Sequence, residues 1–170
     1  DESIEAHGQM SFVGTKISFT FRDKSYTSTR TENGFIYTRS FAGDEGMIED
    51  YLINGSNFYR LNAGDTIILS EELKDKYTNS VNSVLYFMQL PYLLNDPAVI
   101  KTYNGTCEIN ESIYHIIDVS FKSENGGEDY KDEYLFWINK ETFFVDFLAY
   151  SYATNNGGIR FREAYNRVTE

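Results

Sequence analysis

The sequence predicts a mainly β (α+β) protein: one large curved antiparallel sheet of about ten strands, with two or three helices. Three observations carry this. Short aromatic-rich runs alternate apolar with polar residues, as in Lys16-Ile17-Ser18-Phe19-Thr20-Phe21-Arg22. Asn/Gly turns interrupt them at short intervals, and only one stretch repeats its apolar residues at helical spacing. Many aromatics must be buried while few helices can cover them. A sheet bowed around an apolar interior follows, and such an interior can hold a ligand.

Taken in order, Asp1–Gly8 reads as a short helical end, favoured by Glu2, Glu5 and Ala6 and stopped by Gly8. From Met10 the period becomes two. Ile17, Phe19 and Phe21 point one way, and Lys16, Ser18, Thr20 and Arg22 the other. Asp23-Lys24 turns the chain into Tyr26–Arg30, and Asn33-Gly34 is a hairpin signal leading to Phe35–Phe41. Gly43–Gly46, Asn54-Gly55 and Gly64-Asp65 mark further turns, so sequential hairpins build a meander. Ser70 is placed to cap a helix whose first turn holds Glu71 and Glu72. Tyr77, Val81, Val84, Leu85 and Met88 then form one apolar stripe, and Pro91 ends the helix near Leu90. Asn95-Asp96-Pro97 reads as the start of a second short helix through Ile100. The rest is β again: Ser112–Phe121, Tyr134–Ile138, Phe143–Tyr152 and Ile159–Val168, separated by Asn125-Gly126-Gly127, Asn139–Thr142 and Asn155–Gly158.

At 170 residues the chain reads as a single domain, 1–170, long enough to bury roughly 70% of its unfolded surface without a disulfide or metal staple. The lone Cys107 cannot form an internal bridge, and it has no cationic sequence neighbour to activate it. A net charge of −11 excludes phosphate neutralisation on nucleic acid and docking on anionic lipid by charge alone. No apolar run approaches the ~20 residues of a membrane-spanning helix. The chain starts without an initiator Met or signal peptide, which points to a trimmed form.

Catalytic patterns are missing from the sequence. His7 and His115 are the imidazoles available as a base, no Gly-x-Ser-x-Gly elbow occurs, and Cys and His together number three, widely spaced. No cofactor motif or metal set is expected. The acidic run Glu124–Glu133 does not fit the EF-hand spacing and reads as a solvated hairpin tip, with weak calcium binding as the alternative. Asn54, Asn104 and Asn110 begin glycosylation-type triplets of the kind that chance supplies in an Asn-rich chain.

The segment Asn79–Tyr92 says more. Opposite the stripe of Val81, Val84, Leu85 and Met88 lie Tyr86 and Leu90, with Phe87 at the flank. A helix apolar on both sides must bury both. One side can pack on the sheet, and the other meets a second layer, a partner or a ligand. Arg160 and Arg162 alternate with Phe161 on the last strand, where they either hold an anionic head group or stand in solvent. The candidate cavity lining is therefore Phe19, Tyr37, Tyr86, Phe87, Leu90, Tyr92, His115, Trp137, Arg160 and Arg162.

Three stretches of the sequence carry a family resemblance. They are residues 79–99 (NSVNSVLYFMQLPYLLNDPAV), Gly126-Gly127-Glu128-Asp129, and Gly157 to Asn166 (GGIRFREAYN). Together they resemble an uncharacterised family of bacterial envelope proteins, a domain of unknown function, similar in fold type to the lipoprotein carriers LolA and LolB. That resemblance implies a half-barrel of antiparallel strands with helices on its concave side. It also implies an extracytoplasmic place, periplasmic or anchored at the outer membrane, and binding of a lipid or acylated cargo. It carries over no functional residue. The expectation is a non-enzymatic binding protein for a hydrophobic or acylated ligand. The alternative is a structural or protein-interaction module of the envelope that meets another envelope protein.

Overall fold

Paired hairpins dominate the structure. The computed structural model describes residues 1–8, 12–122 and 131–151 with their side chains, and 160–163 as backbone. Among the described residues, β1 (Lys16–Phe21), β2 (Lys24–Thr31), β3 (Gly34–Gly43), β4 (Gly46–Ile53), β5 (Asn57–Asn62) and β6 (Asp65–Ile67) precede a long helix. After it come a short 3-10 turn (Tyr92–Asn95) and β7 (Val99–Ile109), β8 (Ser112–Phe121), β9 (Glu133–Asn139), β10 (Val145–Ser151) and β11 (Arg160–Glu163). The helices are α1 (Glu2–Ala6), as expected at the start of the chain, and α2 (Glu71–Met88).

The strands form two antiparallel sheets, correcting the expectation of one. The first runs β1-β2-β3-β4-β5-β6 and the second β11-β10-β9-β8-β7. Every neighbour in each is also a neighbour in sequence, so both are meanders, as hairpin signals at short intervals require. The first sheet ends at β6, which is only three residues long, and α2 follows it. Contacts group the chain into two compact units, Ser11–Leu90 in one and Asp1–Met10 with Pro91–Glu170 in the other.

In the first unit, α2 lies against β2, β3, β4 and β5. Tyr26, Tyr37, Leu52, Val81 and Leu85 form its buried core, with Phe19, Phe21, Phe35, Phe58, Val84 and Met88 packed around it. The helix begins where the Ser70 hydroxyl accepts the Leu73 N–H at 3.4 Å. It ends at Gln89, two residues before Pro91, which has no N–H to continue the ladder. Two turns sit one residue earlier than the expected Asp23-Lys24 and Gly64-Asp65: Phe21 pairs with Lys24 around Arg22-Asp23, and Asn62 with Asp65 around Ala63-Gly64. Arg22 and Asp23 both take positive φ, 51° and 61°, so the tight turn forms without glycine. Gly34, at φ +144°, has a different task. A Cβ there would collide with the Asn54 amide, whose oxygen accepts the Phe35 N–H at 2.8 Å. This clips the β2–β3 turn to the β4–β5 turn.

In the second unit, Val119, Tyr134, Phe136 and Leu148 are buried and share one face of the sheet by register. Tyr114 and Ala149 are buried on the other. The Asn95-Asp96-Pro97 segment does not open a helix as expected. The Asp96 carboxylate accepts the Ala98 N–H at 2.8 Å in a local turn, and Val99 and Ile100 are already in β7. Here the helical turn comes before Asp96, at Tyr92–Asn95. The expected turns at Asn125–Gly127 and Asn155–Gly158 lie outside the described residues.

Candidate functional site

The face of the first sheet beneath α2 is not purely apolar. Period-two alternation puts Arg39 two residues beyond Tyr37, Asp50 two before Leu52, and Arg60 two beyond Phe58, all on the covered side. Register then aligns them, because Arg39 pairs with Asp50 and Asp50 with Arg60. Asp50 is wholly buried, and Arg39 and Arg60 are 3% and 9% exposed. Asp50 Oδ2 accepts Arg39 Nε at 2.8 Å and lies 2.6 Å from Arg39 Nη2. Arg60 donates from Nε to Oδ1 at 2.6 Å and from Nη2 to Oδ2 at 3.1 Å. Arg39 Nη1 reaches up to the helix and donates to Ser80 Oγ at 2.7 Å. The Arg60 guanidinium lies 3.6 Å from the Tyr77 ring centroid, a close cation–π contact. Burial pulls the Arg60 pKa down, but hydrogen bonding and attraction to Asp50 outweigh it and leave the group above its ordinary value.

A second polar network closes the C-terminal end of α2. The Gln89 amide is fully buried and donates from Nε2 to Tyr37 Oη at 2.9 Å and to the Leu85 carbonyl at 2.8 Å. Its Oε1 accepts from Arg30 Nε at 2.6 Å and from Ser28 Oγ at 3.3 Å. Arg30 Nη2 also donates to Tyr37 Oη, at 2.8 Å. The two networks flank the apolar centre of Leu52, Val81 and Leu85. None of Ser28, Arg30, Arg39, Asp50, Arg60 and Gln89 stands among the residues expected to form a site. The signal for them is register: counting strand partners through the hairpins would have brought Arg39, Asp50 and Arg60 into one row.

The expected cavity residues fall in both units. In the first, Tyr37 is 2% exposed within the core, and Phe19 stacks on Tyr26 with centroids 5.5 Å apart. Tyr86 and Phe87 are half-buried on α2 and meet edge to face at 6.3 Å, and Leu90 follows the helix end. In the second, Tyr92 begins the 3-10 turn, and His115 lies with its Nδ1 3.3 Å from Tyr103 Oη. His115 pairs with Ile138 and Ile116 with Trp137, so His115 and Trp137 occupy opposite faces of the sheet. Arg160 and Arg162 are placed by backbone only, opposite Tyr150 and Leu148.

Other candidate groups are engaged locally. His7 donates from Nδ1 to the Ser3 carbonyl at 2.6 Å, which fixes its tautomer, and its ring meets Phe144 edge-on at 5.2 Å. Cys107 is half-buried on β7 opposite Tyr114. Asn104, at a bulge in β7, donates to Asp118 Oδ2 at 3.0 Å. A shallow groove of about 200 Å³ lies at the β2–β3 turn, lined by residues including Thr31, Phe35, Ile36 and Ile53. Most of the Glu124–Glu133 run lies outside the described residues, and among those described no group of three His, Cys, Asp or Glu is placed to hold a metal. No helix among them is long and apolar enough to cross a membrane.

The family resemblance rested on the α2–Pro91 segment and two Gly-Gly motifs, and comparison at the level of whole families bears out its membership of an uncharacterised family. No curated protein matches the chain. A family model does, over residues 6–170, nearly the full length, and the chain belongs to that family, the family of unknown function DUF6503.

Proposed function

We propose that the protein binds a hydrophobic or acylated ligand in the bacterial cell envelope and carries out no chemistry on it. The observation behind this reading is the two-sided character of α2. Val81 and Leu85 are fully buried toward the sheet, with Val84 and Met88 packed beside them. Tyr86, Phe87 and Leu90 extend apolar and aromatic surface beyond that stripe. The half-barrel of the LolA and LolB carriers is the architecture this reading adopts, supported by two antiparallel meanders and a helix laid on one of them. An extracytoplasmic location comes with the same likeness.

The absence of catalysis is argued from occupied groups. Both oxygens of Asp50 are held by guanidiniums, His7 is bonded to a carbonyl, and His115 to a phenol. A carboxylate so engaged is a poor general base. Native mass spectrometry and solvent extraction of the gently purified protein test the ligand. A bound amphiphile is expected, together with saturable binding of a fluorescent fatty acid that weakens about tenfold in Phe87→Ala. Protein that carries no amphiphile and fails to bind the probe overturns the reading.

A second reading, an envelope interaction module without a ligand, draws on exposed apolar residues on the face of the first sheet away from α2. Ile36, Met47 and Tyr59 are 41%, 52% and 38% exposed there. In that case, crosslinking in envelope extracts captures one partner through this face, and Ile36→Lys with Met47→Lys abolishes the capture.

A further inference from the structure

We propose that the open edge of β7 pairs antiparallel with the same edge of a second copy of this chain, about a two-fold axis between Asn104 and Gly105, joining two five-stranded sheets into one. Among the described residues, four strands stand at sheet edges: β6 has three residues, β11 four, β1 six and β7 eleven. A long edge presents a row of backbone N–H and C=O groups ready to pair with another strand, and keeping edges short is one way proteins avoid this. β7 lacks that protection. It holds no proline, seven of its eleven residues are exposed, and Ile100 and Tyr103 are 42% and 60% exposed. Its main neighbours are β8 and the 3-10 turn.

Charge complementarity selects a second copy as the occupant. In this register Lys101 stands opposite Glu108 of the second copy, and Glu108 opposite its Lys101. The match needs both side chains on one face of the sheet, yet on an unbroken strand these two positions would point opposite ways. The bulge between Tyr103 and Thr106 corrects this: Lys101 pairs with Val119 and Glu108 with Ile113, which share a face of β8. The other pairs agree. Tyr103 meets Thr106 on that face, while Ile100 meets Ile109 and Thr102 meets Cys107 on the other. Each copy carries the same extra residue, so the ladder between the two β7 strands stays in step through the bulge. At the axis, a Cβ on Gly105 would meet nothing within 4 Å, which leaves room for Asn104 of the second copy. Lys101 donates to the Leu94 carbonyl at 2.8 Å and to Asn95 Oδ1 at 3.3 Å, and an ammonium has a third N–H to give a carboxylate. The pairing concerns the second unit and does not rest on the ligand reading above.

The test uses the whole chain at about 0.15 M salt, where repulsion between two copies of net charge −11 is screened beyond about 8 Å. Sedimentation equilibrium should show a dimer. Lys101→Glu or Glu108→Lys alone sets like charges opposite each other at two places and should weaken the dimer at least about tenfold. The double exchange, Lys101→Glu with Glu108→Lys, should restore it. Thr102→Cys reads the register. It places a thiol opposite Cys107 of the second copy, whereas within one chain the two positions lie about 16 Å apart along the strand and cannot bridge. Oxidation with diamide should therefore give a disulfide-linked dimer from Thr102→Cys, and none from the wild type or from Tyr103→Cys, whose thiol would face Thr106. A chain that stays monomeric at every concentration, a dimer indifferent to the charge exchange, or equal crosslinking in Thr102→Cys and Tyr103→Cys overturns the proposal.

Discussion

The two sheets are built by the same hairpin logic and filled in different ways. The second is stabilised by an apolar row, with Val119, Tyr134, Phe136 and Leu148 each no more than 8% exposed. The first covers a face that mixes Tyr37 and Leu52 with Arg39, Asp50 and Arg60 under one helix, whose C-cap Gln89 is buried with them. Alternation decides which residues go inside, but it does not require them to be apolar. A charged residue at an inward position is tolerable when register supplies its partner. In the first sheet, adjacent antiparallel strands supply it row by row.

That contrast predicts different failures on substitution. Phe136→Ala, in the apolar row, should cost about 3–5 kcal/mol from lost burial and the cavity left behind. Asp50→Ala should cost as much for another reason, since it strands two buried guanidiniums. The two are told apart by salt, because added anions should recover part of the Asp50→Ala loss and none of the Phe136→Ala loss in urea unfolding. Gln89→Ala should cost about 1–3 kcal/mol by leaving Tyr37 Oη and Arg30 without amide partners.

Alkaline pH offers a smaller contrast, with one tyrosine on each sheet. Burial raises the Tyr114 pKa, reinforced by Asp146, and burial raises that of Tyr51, reinforced by Glu49. A phenol whose folded pKa is raised stays protonated while the unfolded chain ionises. The associated stability is therefore fully present below the ordinary value of about 10 and is lost as pH rises through it toward the folded pKa. Tyr114→Phe should flatten the alkaline limb of the stability curve for its part, and Tyr51→Phe likewise. A limb unchanged in both variants would show that neither phenol contributes. The smallest expected effect is a gain. Glu111 holds φ 65° in the Asn110-Glu111 turn of the second sheet, so Glu111→Gly should stabilise by up to about 1 kcal/mol, read as a higher Tm.

Much of this was legible in the sequence and some was not, for physical reasons. The alternation of Ile17, Phe19 and Phe21, the Ser70 cap and the stop at Pro91 are local signals, and each element stands where they place it. The turns slipped by one residue because Arg22, Asp23 and Ala63 accept positive φ although each carries a Cβ. Asp96-Pro97 resembles a helix start, but the Asp96 side chain closes a turn on Ala98 instead. The division into two sheets depends on which strand edges pair across long separations, and no local pattern encodes that. The Arg39–Asp50–Arg60 row was hidden because charged residues are read as outward by default. Their positions, two residues from Tyr37, Leu52 and Phe58, pointed inward all along. For the expected cavity set, the alternation that places His115 also places Trp137 on the other face, through the pairing of His115 with Ile138.

The central claim is that the charged row under α2 stands by mutual pairing and not by contributing net stability through its charges. Equilibrium urea unfolding of Asp50→Leu beside the triple variant Arg39→Met, Asp50→Leu, Arg60→Met tests it most directly. The account predicts that the single change costs about 3–5 kcal/mol, whereas the triple change returns to wild-type stability or exceeds it by about 1–4 kcal/mol. A triple variant as unstable as the sum of its single changes would contradict it.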